Sequence, residues 1–328
     1  MAQTPAKPLP RRRTLSEWLT RNPVTLKELR GRMRGSRAFV VLIVYLVLMS
    51  AFVTLLYALY VNSGSSYGGP GGGYYYNPGP DRQYLGKFVF GSVVGIELLL
   101  VCFICPAFTV GAISGERERQ TYDLLRTTLL RARTLITGKL ASAMSYVLLL
   151  LVAALPLQSL AFLLGGIAPE EVAIASLLLL STAFLYSAAG IFFSSIMRRT
   201  LGATILTYAF VLLDTLGLPL VLLPITAFGS GVTYTVFQGT PPLAVQILLL
   251  YAAGFFISTN PLAAAVGTEV ILLSNQTLLY FTQTLSDNAG HTFVMPLVSP
   301  WLPWTLFGFL LGLVLIVLSV VIIKRGER

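Results

Sequence analysis

Gly115 to Leu140 reads GERERQTYDLLRTTLLRARTLITGKL and carries six of the chain's 23 Lys and Arg residues. On both sides lie nearly uncharged runs that reach the roughly 20 residues needed to cross about 30 Å of hydrocarbon as a helix. Apolar residues make up 55% of the 328 positions and charged ones only 11%, too little polar surface to cover a soluble globule. A barrel would show segments of about 10 alternating residues, and the chain has none. The sequence therefore reads as an all-α integral membrane protein, with the quoted stretch as its most charged internal segment.

In a soluble protein a net charge of +10 would raise nucleic acid as a partner. Here 21 of the 23 basic residues fall in four short segments: ten before Ala38, six in the quoted stretch, Arg198 with Arg199, and Lys324, Arg325 and Arg328. Each segment flanks an apolar run. The positive-inside rule then makes all four cytoplasmic, with membrane lipids as surroundings and no nucleic acid partner. The arginine cluster near the start does not introduce a secretory signal, because Leu15, Trp18 and Leu19 are interrupted by polar residues and no small-residue cleavage site follows.

Six transmembrane helices are expected, at about 38–60, 87–113, 140–164, 172–197, 201–227 and 301–323, with both termini cytoplasmic. Residues 1–37 form an N-terminal tail and amphipathic helix: Asn22 is placed to cap it, Pro23 to start it, and Leu26, Leu29 and Met33 share one face. That face suits the inner membrane surface, a solvated extension being the alternative. The Gly-, Pro- and Tyr-rich segment after the first span reads as a linker or an aromatic belt. Glu170 and Glu171, before the fourth span, are expected outside without a basic partner.

Between Thr200 and Pro300 there is no Lys or Arg, so repeated returns to the cytoplasm are disfavoured. Within the external region 228–300, Pro242 to Ser258 and Leu262 to Leu273 have the length of re-entrant or interfacial helices, punctuated by Pro241, Pro242, Asn260 and Pro261. Eight spans is the alternative count.

Two acids lie inside spans, Glu97 and Asp214. An ionised carboxylate at bilayer centre costs about 2.5 to 3.5 kcal/mol, which makes them candidates to line a pathway. No basic residue inside a span can pair with them. Hydrogen bonding to hydroxyls such as Ser92, Thr204 or Thr207 is the structural alternative. Cys102 and Cys105 stand one turn apart on an apolar helix and, with His291 as the single histidine, assemble no metal ligand set. Gly91-x-x-x-Gly95, Gly111-x-x-x-Gly115 and Gly308-x-x-x-Gly312 offer faces for close helix packing, within the chain or against a second copy. No Ser-His-Asp, Cys-His or paired-carboxylate arrangement is placed for catalysis.

The quoted stretch itself has helical spacing over 115–136. Tyr122, Leu125 and Leu129 share a face with Leu124 beside it, and Glu116 to Arg119, Arg126, Arg131 and Arg133 take the rest. A plain connector between spans needs only about 2 to 8 residues. The excess suggests a docking element.

PAFTVGAISGERE, from Pro106 to Glu118, followed by TYDLLRTT and ITGKLASAMSYVLLLL, resembles the hallmark region of type-2 ABC transporter permeases. NPVTLKELRGRMRGSRAF is similar to their N-terminal interfacial helix and first span, and NPLAAAV, from Asn260, to a motif in their external region. The resemblance implies a prokaryotic inner-membrane subunit that pairs with a second or homologous permease copy and with two cytosolic ABC ATPase subunits. ATP and Mg would be bound by those partners, and this chain would carry no cofactor. By position, Glu116, Arg117 and Glu118 match the charged element, Thr121 and Asp123 the polar-acidic pair, Leu124 and Leu125 the leucines, and Gly138 and Lys139 the Gly-Lys. This coupling helix would dock into a groove on the ATPase. Two positions depart from the family pattern: Gln120 stands where glycine is common and Leu129 where proline is common.

The chain has no ATPase site of its own, since Gly138-Lys139 is followed by Leu140 and lacks the upstream glycine of a phosphate-cradling loop. The expected function is the permease half of an ATP-driven exporter. A stand-alone carrier or channel using Glu97 and Asp214, and a non-transporting membrane anchor, are the alternatives. The largely apolar interior leans towards a lipid-like or amphipathic cargo.

Overall fold

The computed structural model describes residues 36–64, 82–122, 132–217, 220, 241–275, 277–286 and 291–325. Their order is α1 (Ser36–Gly64), α2 (Arg82–Thr109), α3 (Ser114–Glu118), α4 (Ala132–Leu164), α5 (Pro169–Ile196), α6 (Thr200–Leu212) prolonged by a π-helical turn (Leu213–Gly217), α7 (Leu243–Ser258), α8 (Pro261–Asn275), β1 (Tyr280–Ser286), β2 (Thr292–Val298) and α9 (Trp301–Arg325). Among the described residues six helices are long and apolar enough to cross a membrane: α1, α2, α4, α5, α6 with its π turn, and α9. A sharp bend of 117° joins α7 to α8, which would make a seventh crossing if the pair were one broken span. At 16 and 15 residues neither reaches a full span alone, so among the described residues the eight-span alternative lacks two of its helices. The N-terminal interfacial helix and the Tyr-rich linker lie outside the described residues.

The centre of the bundle is α5, 67% of whose apolar window is buried, against 11% for α1. Leu178, Leu179, Leu185 and Tyr186 of α5 pack with Val93 and Leu98 of α2 and Trp304 of α9 in one large core. Small residues allow the approach. A Cβ at Gly308 would run into Ser181, and one at Gly312 would stand 2.6 Å from the Phe184 ring. The seam is pinned by Ser181 Oγ donating to the Thr305 carbonyl at 3.0 Å and Trp304 Nε1 donating to Thr182 Oγ1 at 3.0 Å. Gly308-x-x-x-Gly312 thus serves packing within the chain. Gly190 does the same for α5 against α2, where a Cβ would collide with Thr109.

Two expectations need correction. The region expected to be external is not purely helical, since β1 and β2 pair antiparallel from Tyr280 opposite Val298 to Ser286 opposite Thr292. YFTQTLS and TFVMPLV are rich in β-branched and aromatic residues, which suit a pleated ladder. The hairpin is tied down at both ends. Trp301 Nε1 donates to the Leu278 carbonyl at 2.7 Å, and Gln246 Nε2 donates to the Ser286 carbonyl at 3.0 Å.

The second correction concerns the coupling helix expected over 115–136. Helix α3 ends at Glu118, and Ala132 already belongs to the 33-residue α4. Residues 123–131 lie outside the described residues, and with them Asp123, Leu124 and Leu125. The break has a local cause. Gln120 takes φ 56°, while its N–H donates to the Arg117 carbonyl at 3.1 Å and that of Thr121 to the Glu116 carbonyl at 3.0 Å. This pair of bonds around a left-handed residue is a Schellman cap, a helix stop that ordinarily uses glycine.

Candidate functional site

The charged element between the second and third spans forms a bracket across one end of the bundle, the end that also carries Arg198, Arg199 and Lys324. Its base is Ser194 of α5. The Ser194 hydroxyl accepts from the N–H groups of Ile113 and Ser114, at 2.9 and 3.0 Å, and lies 3.1 Å from the Ser114 hydroxyl. The first amides of a helix have no partner within it, so a neighbouring helix caps α3 in place of its own residues. Both serines are fully enclosed. Ile113 itself packs with Ala112, Ile136, Ile191, Val320 and Ile323 in a second small core at this end.

Each charged side chain of the bracket reaches a different element. Glu116 faces Lys139 of α4 at 3.5 Å and accepts from the Thr121 hydroxyl. Lys139 is almost completely enclosed. Arg117 Nη1 donates to the carbonyl of Met197, the residue that caps α5 at its C-terminal end, at 3.2 Å, and its guanidinium stacks 5.2 Å from the centre of the Tyr122 ring. Glu118 accepts from the N–H and the hydroxyl of Thr200, at 2.8 and 2.7 Å, at the start of α6. A carboxylate at a helix N-terminus satisfies unpaired amides and meets the positive end of the helix dipole. The bracket therefore joins α4, the end of α5 and the start of α6 through five residues of α3.

Glu97 and Asp214, the two acids inside spans, share no hydrogen-bond partner among the described residues. Glu97 is fully buried; Gln158 Nε2 donates to one carboxylate oxygen at 2.7 Å and the Tyr45 hydroxyl approaches the other at 3.4 Å. It thus links α2 to α4 and α1. Asp214 sits in the π turn and accepts from the Tyr186 hydroxyl of α5 at 2.8 Å. The expected hydroxyl partners are not used: Ser92, Thr204 and Thr207 each donate to a carbonyl one turn back in their own helix.

Next to Asp214 stands Asn260, which is buried and makes three bonds. Its amide nitrogen donates to the carbonyls of Asp214 and Thr215, the latter at 3.1 Å, and its oxygen accepts from the Ala263 N–H at 2.8 Å. Asn260 thus caps α8, with Pro261 as first helical residue, and takes up carbonyls beside the π turn. The NP pair was visible in the sequence as a break; its tie to the π turn was not. Cys102 and Cys105 are buried thiols in the main core.

Three polar residues were missed as a group. Lys87 lies 3.7 Å from Glu171, contrary to the expectation that the acids before the fourth span lack a basic partner, and both line a cavity together with Glu269 of α8. A lone carboxylate inside the apolar run Leu262 to Leu273 was the available signal. No protein-family model matches the chain, and a search of curated proteins returns no match either.

Proposed function

We propose that this chain is the membrane subunit of an ATP-driven transporter of the type-2 ABC permease kind, working with a second permease copy and separate cytosolic ATPase subunits. The observation that carries the reading is the bracket. Glu116, Arg117 and Glu118, which match the family's charged element by position, tie one short, partly buried segment to α4, α5 and α6. A partner that pushes on the segment after Gln120 would therefore load three spans together, whereas a passive connector needs no such bracing. The left-handed backbone at Gln120 adds support, because the family's usual glycine at this position is the residue a Schellman cap prefers.

A stand-alone carrier using Glu97 and Asp214 draws less support. Glu97 is enclosed between Tyr45 and Gln158, an arrangement that suits a structural tie between helices.

The test is affinity purification of the full chain from its host membrane in mild detergent. A nucleotide-binding ATPase should co-purify, and an Arg119→Cys variant, at an exposed position, should crosslink to it. Purification without an ATPase, or labelling of that cysteine by an impermeant reagent added outside intact cells, would overturn the proposal.

A further inference from the structure

Away from the bracket, α2, α5 and α8 enclose a cavity of about 640 Å³. That is within the range of about 300 to 1,000 Å³ typical of small-molecule sites. Its walls are apolar, with Val94 and Leu98 of α2 opposite Leu178 of α5 and Leu262 of α8. Gly95 keeps one wall open, since a Cβ there would meet nothing within 4 Å. On the side of α8 the lining includes Val266 and Val270, both more than half exposed on the apolar surface of the bundle. The cavity can thus be entered sideways by a molecule dissolved in the membrane.

Its polar groups cluster together. Lys87 is matched by Glu171 Oε1 at 3.7 Å and by the Leu272 carbonyl at 3.4 Å. Beyond that pairing, Glu171 Oε2, Glu269 Oε1 and Thr268 Oγ1 are buried without a hydrogen-bond partner. The Glu171 side chain is only 8% exposed. One lysine against two glutamates leaves a formal surplus of one negative charge among the lining residues. Buried acceptors without donors call for a ligand that brings N–H groups and positive charge.

We propose that this cavity binds a membrane-resident amphiphile with a single primary ammonium head, whose N–H groups donate to Glu171 Oε2 and Glu269 Oε1 while its hydrocarbon chain lies along Gly95 and Leu98. One monocation neutralises the surplus charge. A carboxylate head would face two glutamates, and an alcohol would leave the surplus charge in place. This inference concerns binding by the chain itself, and it stands or falls separately from the partnership with an ATPase.

The experiment uses the purified full chain in phosphatidylcholine nanodiscs and dodecylamine carrying a diazirine on its tail, with the matching dodecanol and dodecanoate probes as controls. Saturable labelling of peptides from α2 and α8 by the amine, competed by plain dodecylamine and at least tenfold weaker for the two controls, is the expected result. Glu269→Gln should weaken the amine's labelling about tenfold or more. Gly95→Leu, which fills the cavity without touching a polar group, should abolish it while thermal unfolding stays cooperative. Equal labelling by all three probes, labelling confined to other segments, or unchanged labelling in both variants overturns the proposal.

Discussion

Glu118 and Thr200 form a two-point clasp: one carboxylate receives both the backbone N–H and the hydroxyl of the first residue of α6, at 2.8 and 2.7 Å. The carboxylate is solvent-exposed, so its loss should leave global unfolding nearly unchanged. Locally the clasp decides whether α3 and α6 move as one. Glu118→Ala should speed hydrogen exchange at the amides of Thr200 to Ala203, with little change in Tm. In a complex with the ATPase proposed above, the same variant should retain that partner but lose stimulated hydrolysis; full stimulation would argue that the clasp transmits nothing.

Ser194 is the opposite case, a buried hydroxyl that accepts from two amides and lies beside the Ser114 hydroxyl. Removing the acceptor strands those donors without water, at about 1 to 3 kcal/mol per unsatisfied group. Ser194→Ala should cost about 2 to 3 kcal/mol in reversible unfolding in detergent. A loss under about 0.5 kcal/mol would mean that α3 finds another cap.

At Gln120 the backbone is left-handed, a state that costs a non-glycine residue about 1 to 2 kcal/mol. Gln120→Gly relieves that cost but adds about 0.5 to 1 kcal/mol of chain entropy. The variant should therefore be neutral to slightly stabilising, and Gln120→Val should be destabilising by about 1 to 2 kcal/mol because a β-branched residue tolerates positive φ worst. The two melting curves, compared under one condition, check the order of the three proteins.

Glu97→Gln separates a structural from a proton-carrying carboxylate. The Gln158 carbonyl oxygen is unpartnered, so a flip of that amide would offer an acceptor to the new side chain. The variant should keep stability within about 1 kcal/mol, in line with the modest net worth of one hydrogen bond. If the chain transports as proposed, the variant should also keep that activity. Abolished transport in a folded protein would restore the pathway role.

The α5–α9 seam should resist any added volume. Gly308→Ala places its methyl against Ser181, which is held by the Thr305 carbonyl, and overpacking of this sort costs about 1 to 3 kcal/mol. Gly95→Ala, facing open space, should be benign by comparison. Thermal unfolding of the pair in the same detergent measures the contrast.

The hydrophobic runs made most of the architecture legible in advance. Segments expected at about 38–60, 87–113, 140–164, 172–197 and 301–323 are the cores of α1, α2, α4, α5 and α9, because spanning length and backbone satisfaction in lipid are properties of a segment by itself. Span five, expected to about 227, is described continuously only as far as the π turn ending at Gly217. The two short helices α7 and α8 were equally visible, since Pro242, Asn260 and Pro261 bound them locally. The hairpin escaped because seven-residue strands carry a weak pattern beside such runs.

Side-chain partnerships were a different matter. The sequence alone determined that Glu97, Asp214, Glu116, Arg117 and Glu118 are charges in or beside hydrocarbon, which no soluble surface could excuse. Only the tertiary structure decided that Glu97 meets Gln158 from 61 positions away, that Arg117 and Glu118 clasp the turn between α5 and α6, and that Lys87, Glu171 and Glu269 share one cavity. The physical reason is that helix formation is governed by residues three and four apart, whereas the partner of a buried charge is set by which helices pack together.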